Sequence, residues 1–170
     1  MRWYIAAPVF FAAFIIQTTL LWRVDLWGYS PNLLLCMVCV FGFLYSEPYG
    51  LFMGVIFGAL LDVAASWYFG GESISFVLAF LIARPFAKIF NHEWFLPQIF
   101  IAALATPVNV FLIWALYRIA GSPVHVHFAV ESLPALLIMP CALAVILHFI
   151  FVRTVIRHGI DRKSYGEILM

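Results

Sequence analysis

The sequence predicts an all-α protein, an integral membrane bundle of six transmembrane helices with both termini in the cytoplasm. Three observations lead to this fold class. First, 66% of the 170 residues are hydrophobic and only 10% are charged, whereas soluble domains average about 45–50% apolar and about 25% charged residues. Second, turn-forming and charged residues divide the chain into six apolar runs. Third, threading these runs through a membrane collects most Lys and Arg residues on one side.

Each apolar run is expected to form a helix. Lipid offers no hydrogen bonds to a bare backbone, and none of the runs alternates polar and apolar residues as the strands of a membrane barrel do. The spans are predicted at residues 4–22, 32–46, 49–66, 73–91, 96–117 and 129–152, followed by a short cytoplasmic tail at 153–170. The chain, 1–170, is therefore predicted to be a single polytopic membrane domain.

Local signals justify the boundaries in order. The first run exceeds the usual apolar length of a secretory signal, about 7–15 residues, and no small-residue cleavage site follows, so we expect it to remain as a span. Pro31 and Pro48 bound the second run, which is the shortest, and the third begins directly after Pro48. Gly70 and Gly71 precede the fourth run, and the turn at residues 121–123 ends the fifth.

The distribution of Lys and Arg predicts the orientation, because cytoplasmic loops carry an excess of these residues. Six spans place both termini on one side of the membrane. That side holds seven of the nine basic residues, namely Arg2, Arg84, Lys88, Arg153, Arg157, Arg162 and Lys163. Arg23 and Arg118 lie on the other side. Both termini are therefore predicted to be cytoplasmic.

The third run carries a stripe of small residues that ends in a carboxylate. Gly50, Gly54, Gly58 and Asp62 recur every four residues and so share one face of a helix. Glycines at this spacing leave a groove into which another backbone can pack. A carboxylate at membrane depth costs a few kcal/mol and is expected to face a partner.

The predicted topology indicates candidate partners for Asp62 at the outer ends of the helices. Asn32 opens the second run, Arg118 ends the fifth, and Glu131 begins the sixth. One hypothesis is a polar cluster in which Asn32 holds Asp62, with Arg118 as a second candidate partner. The alternative is that Asp62 caps the turn at residues 67–71 and has no functional partner. The sequence leaves both interpretations open.

The remaining polar residues give little support for chemistry. Gln17 and Asn109 lie inside spans and are expected to make interhelical hydrogen bonds. The Cys-x-x-Cys pair of the second run has no nearby charge to stabilise a thiolate, and is expected to fill space. His125 and His127 on the outer loop are too few to indicate a metal site. No catalytic residue, metal or cofactor is predicted, and a net charge of +1 argues against a nucleic-acid partner.

Spans two to four resemble the MreD family. The shared features are Pro31-Asn32 followed by three leucines, the pattern Gly-x-x-x-Gly-x-Leu-Leu-Asp from Gly54 to Asp62, and a glycine before the next span. The chain length, the six predicted spans and the near absence of soluble parts are also similar. The part that carries the motifs covers roughly a third of the chain. The outer loop with its two histidines departs from the family pattern.

The resemblance implies a non-enzymatic scaffold of the bacterial inner membrane that binds the single-span protein MreC. It further implies indirect association with the actin-like filament MreB and with a SEDS glycosyltransferase and penicillin-binding transpeptidase pair that makes peptidoglycan. The implied fold is similar to the substrate-binding subunits of ECF transporters, so the alternative function is a transporter subunit that binds a small molecule. Self-association through the three-glycine groove is left open. The implied signature residues are Pro31, Asn32, Gly54, Gly58 and Asp62.

Overall fold

The computed structural model describes residues 3–21, 31–45, 48–65, 70–121 and 133–157, and within these ranges the regular structure is helical. The helices are α1 (Trp3–Thr19), α2 (Leu33–Leu44), α3 (Tyr49–Ala65), α4 (Gly71–Ile89), α5 (Leu96–Ile119) and α6 (Leu133–Arg157). The all-α prediction is confirmed, and one helix corresponds to each apolar run. Helix α6 continues past residue 152, so the first residues of the predicted tail are helical.

By length and composition, one described helix, α5, is long and apolar enough to cross a membrane. Shorter apolar helical stretches are Ala6–Thr19, Leu33–Leu44, Tyr49–Ala64 and Leu137–Arg153. The six membrane crossings and the cytoplasmic position of both termini therefore stay predictions. Residues 1–2 and 158–170 lie outside the described ranges.

Helix α2 is the centre of the bundle. All twelve of its residues, Leu33–Leu44, are buried, and it contacts each of the other five helices. Its sequence explains this position, because a helix that is apolar on every face has no side suited to water. The run with the shortest predicted span is thus the one that the other helices enclose.

Aromatic side chains join the outer helices to this centre. The Phe41 ring of α2 lies 5.0 Å from the Phe10 ring of α1 and 5.0 Å from the Phe151 ring of α6, both in edge-to-face geometry. Edge-to-face pairs are favourable because the positive ring edge meets the negative ring face. One buried phenylalanine therefore connects three helices.

Helix α4 lies between α2, α3 and α5 and contacts all three. Its first residue follows Gly70, whose φ of 102° is in the left-handed region that glycine tolerates. The start of α4 thereby lies beside the start of α2 and the end of α3. After the predicted topology, we call this end of the bundle the outer end, and the opposite end, where α4 finishes and α5 begins, the inner end.

Candidate functional site

The carboxylate of Asp62 caps the start of α4. Asp62 lies near the end of α3 and is only 2% exposed. Its Oδ1 accepts a hydrogen bond of 2.9 Å from the backbone N–H of Glu72, and its Oδ2 accepts one of 2.9 Å from the backbone N–H of Gly70. The backbone N–H and the hydroxyl of Ser73 each approach Oδ2 at 3.4 Å. A neighbouring helix therefore supplies the cap.

This arrangement follows from the chemistry of a helix start. The first backbone N–H groups of a helix have no partner within it and carry a partial positive charge. The N-cap position of α4 is Gly70, which has no side chain to accept them. Asp62 supplies both the missing acceptor and a compensating negative charge, so its burial is balanced by the contacts that it makes.

The glycine stripe brings α4 close enough for this cap. A Cβ placed on Gly58 would lie 2.8 Å from the Cα and 2.9 Å from the backbone nitrogen of Ser73. These are backbone atoms, so a side chain at Gly58 would push the first turn of α4 away. Gly58 leaves room for the first turn of α4, and Asp62, four residues further along α3, binds that turn.

The other two glycines of the stripe face α2 and α4 as well. A Cβ on Gly54 would approach Val38 Cγ2 to 3.0 Å, and one on Gly50 would approach Phe41 Cβ to 3.0 Å. All three glycines are buried. The groove predicted from the sequence is therefore occupied by helices of the same chain.

A second carboxylate, Glu72, joins three helices at the outer end. Its Oε2 accepts hydrogen bonds from Asn32 Nδ2 at 3.1 Å and from Asn109 Nδ2 at 3.2 Å. The same amide of Asn109 donates to Ser75 Oγ at 2.7 Å. Asn32 also caps its own helix, because its Oδ1 accepts from the backbone N–H of Leu35 at 2.9 Å. These bonds tie the starts of α2 and α4 to the middle of α5.

Gln17 fastens α1 to the beginning of α2. Its amide nitrogen donates to the carbonyl of Pro31 at 3.1 Å, and its amide oxygen accepts from the backbone N–H of Leu33 at 2.7 Å. The predicted interhelical hydrogen bonds of Gln17 and Asn109 are both confirmed. The two bonds of Gln17 reach the carbonyl of Pro31 and the N–H of Leu33, and so fix the backbone on both sides of Asn32.

The structure distributes the proposed partners differently from the sequence-based cluster. Asn32 bonds to Glu72, whereas Asp62 accepts its hydrogen bonds from Gly70 and from the first turn of α4. Asp62 therefore caps a helix start at the end of the turn named in the capping alternative, and residues 66–69 of that turn lie outside the described residues. Arg118 is exposed at the end of α5, and neither carboxylate receives a hydrogen bond from it within the described residues. Glu131 lies outside the described residues, as do His125 and His127.

Glu72 is the residue of the site that sequence reasoning missed. It stands two positions after Gly70 in the first turn of α4, where a carboxylate is favoured by the helix dipole. That signal is generic, since most such glutamates are exposed. Its pairing with side chains of two other helices depends on packing.

The arrangement can lock helices together, and its polar groups contact one another and the backbone. Among the described residues there is no group of three or more His, Cys, Asp or Glu side chains that could hold a metal ion. We call Asp62, Glu72, Asn32, Asn109 and the three stripe glycines the outer lock.

Comparison with known protein families gives a match over most of the chain. The family model of the rod shape-determining protein MreD matches residues 1–156 of the chain. No curated protein and no solved structure matches it.

Proposed function

The chain belongs to the MreD family of rod shape-determining proteins, and from this premise we propose that it is a non-enzymatic membrane scaffold of the bacterial elongation complex. The family has a role in determining rod shape, its members are membrane proteins, and it is not a known enzyme family. The finer role proposed here is to bind MreC in the inner membrane and so to help position peptidoglycan synthesis.

The observation that carries this proposal is that both carboxylates of the outer lock, the buried Asp62 and the half-buried Glu72, are used in helix-to-helix contacts. Asp62 binds backbone N–H groups of α4, and Glu72 binds two asparagine amides. Polar groups satisfied in this way hold the helices in one arrangement. A fixed arrangement of helices is what a subunit needs if it presents a constant surface to a partner.

We further propose that the single-span helix of MreC docks on the outward-facing side chains of the bundle. The glycine groove is filled by α2 and α4 of the same chain, so it offers no room for a partner helix or for a second copy. MreB, the SEDS glycosyltransferase and the penicillin-binding transpeptidase would then be reached indirectly, through MreC.

The alternative, a transporter subunit that binds a small molecule, finds no support in the comparisons. A solute site needs polar groups that converge on a cavity. At the outer end, the amides and carboxylates are bonded to each other instead.

The test is depletion with complementation in a rod-shaped bacterium that carries this chain. Depletion should turn rods into spheres, and the tagged chain should restore rods and copurify MreC from mild detergent. Asp62→Ala should restore fewer rods and recover less MreC, because the outer lock is broken. Asp62→Asn is the matched control, since it keeps an acceptor oxygen for the backbone N–H groups of Gly70 and Glu72. Normal rods after depletion, or copurification of a transport module without MreC, would refute the proposal.

A further inference from the structure

Among the residues that the structure describes, two fully buried polar side chains near the inner end have no hydrogen-bond partner. Gln98 in the first turns of α5 and His148 in α6 are both 0% exposed. Neither amide atom of Gln98 and neither ring nitrogen of His148 has a hydrogen-bond partner in the described part of the chain. Burying such groups unpaired is unfavourable, because their bonds to water are lost without replacement.

Neighbouring contacts place both side chains in the same layer between α5 and α6. Towards the centre of the bundle, Ala102 of α5 and Ala144 of α6 belong to one buried cluster. Towards the inner end, the rings of Phe95 and Phe149 lie 5.9 Å apart. Gln98 is between Phe95 and Ala102 along the chain, and His148 is between Ala144 and Phe149. The two contacts therefore bracket both polar residues.

Polar groups continue from this layer to the inner surface. The Phe43 ring packs against His92 at 5.2 Å and against His148 at 6.1 Å, so the two imidazoles share one neighbour. His92 is half-buried in the loop between α4 and α5. The loop that carries His92 therefore approaches His148 on the inner side of the layer, with Phe43 in contact with both imidazoles.

We propose that Gln98 and His148 form a buried water-binding site that is reached from the inner surface past His92. A neutral imidazole and a primary amide each present donor and acceptor atoms, and a water molecule can donate two bonds and accept two. One water can therefore bridge two groups that share a layer without bonding directly. Buried waters are found where several polar groups would otherwise be unsatisfied.

The surroundings favour water over an ion. The buried cluster beside the layer consists of Cys36, Ala102 and Ala144, and the ring of Phe43 packs against His148, so none of these neighbours carries a charge at neutral pH. The described residues include no cluster of metal-binding side chains. The consequence is that α5 and α6 are joined through a bound water molecule at the inner end, whereas side chains join the helices directly at the outer end.

The chain supplies its own control for a test. It contains two glutamines, Gln17 and Gln98. Both are buried, but the amide of Gln17 is bonded on both sides to backbone groups. The full-length protein, labelled with side-chain ¹⁵N glutamine in lipid bilayers, is examined by water-edited solid-state NMR. Loss of one signal in Gln98→Met assigns the resonances.

The site predicts that the Gln98 amide receives magnetisation from water severalfold faster than the Gln17 amide. His148→Phe should slow the transfer to Gln98, because the bridging water loses one partner. Equal or slower transfer at Gln98 in the unmodified protein would overturn the proposal, and so would through-space contacts that show a protein group bonded to the amide. The unmodified protein is sufficient to decide even if the His148 variant does not fold.

Discussion

The outer and inner ends of the bundle treat buried polar residues in opposite ways. At the outer end, Asp62 and Glu72 are engaged by backbone N–H groups and by asparagine amides. At the inner end, Gln98 and His148 are fully buried but have no hydrogen-bond partner among the described residues. Burial alone therefore does not identify the polar residues that hold this fold together. The number and the source of their hydrogen bonds identify these residues.

The strongest way to break this contrast is to remove the outer carboxylate with Asp62→Ala. The backbone N–H groups of Gly70 and Glu72 would lose their acceptor. The free energy of unfolding should then fall by about 2–3 kcal/mol, which is the size expected for the loss of a helix cap and of hydrogen bonds to a charged group. Thermal unfolding in bilayer nanodiscs, followed by the fluorescence of the six tryptophans, measures the change.

The matched variant Asp62→Asn keeps one acceptor oxygen and should lose less stability than Asp62→Ala. Val63→Ala should leave the unfolding temperature nearly unchanged. If Asp62→Ala behaves like Val63→Ala, the cap does not stabilise the bundle.

The next effect is expected from Gly58→Ala. The new Cβ would lie 2.8 Å from the Cα of Ser73, so the first turn of α4 would have to shift. Overpacking of this kind costs about 1–3 kcal/mol. Gly54→Ala is the control of equal size, because its Cβ would meet a methyl group of Val38 at 3.0 Å, a longer distance than at Gly58 and to a side-chain atom rather than to backbone. Unfolding curves that rank Gly54→Ala as the more harmful change would contradict this packing.

A smaller loss of stability is expected when the hydrogen bonds of Glu72 are weakened. Glu72→Gln retains one side-chain oxygen as an acceptor, so we expect a loss of about 0.5–1.5 kcal/mol. A double-mutant cycle between Glu72→Ala and Asn109→Ala should show non-additive losses, since residues in one hydrogen-bond network couple by about 0.5–3 kcal/mol. Additive losses would mean that the bond between Glu72 and Asn109 contributes nothing measurable.

The smallest effect concerns pH at the inner end. Burial, and secondly the neighbouring His148, lower the pKa of His92. The unfolded chain then binds the proton more readily, so the free energy of unfolding should fall as the pH drops through the ordinary histidine pKa of about 6.5. His92→Gln should reduce this loss in unfolding temperature between about pH 7.5 and about pH 5.5. Identical pH profiles for the two proteins would show that folding does not change the pKa of His92.

Much of the fold was predictable because local patterns carry it. The six apolar runs match the six helices, and the four-residue spacing of Gly50, Gly54 and Gly58 correctly indicated a close-packed face. The interhelical bonds of Gln17 and Asn109 were predictable for a similar reason, since an amide inside an apolar run has few other ways to be satisfied.

The pairing within the outer lock was not predictable. Asn32 and Glu72 are forty residues apart and bond to each other, whereas the sequence suggested Asp62 as the partner of Asn32. Several polar residues cluster at the outer end in any six-helix topology, and spacing along the chain does not rank them. A difference of one helical turn or a small rotation of α4 changes which pair meets.

By itself, the sequence determined the helices and the face of α3 on which another backbone could pack, because periodicity and apolar content act within a few turns of chain. The tertiary structure alone decided that α2 is enclosed on all sides, that α4 fills the glycine groove, and that Asp62 caps a helix other than its own. The physical reason is that these outcomes depend on the relative rotation and depth of separate helices. Side-chain packing and hydrogen bonds across the whole bundle set both.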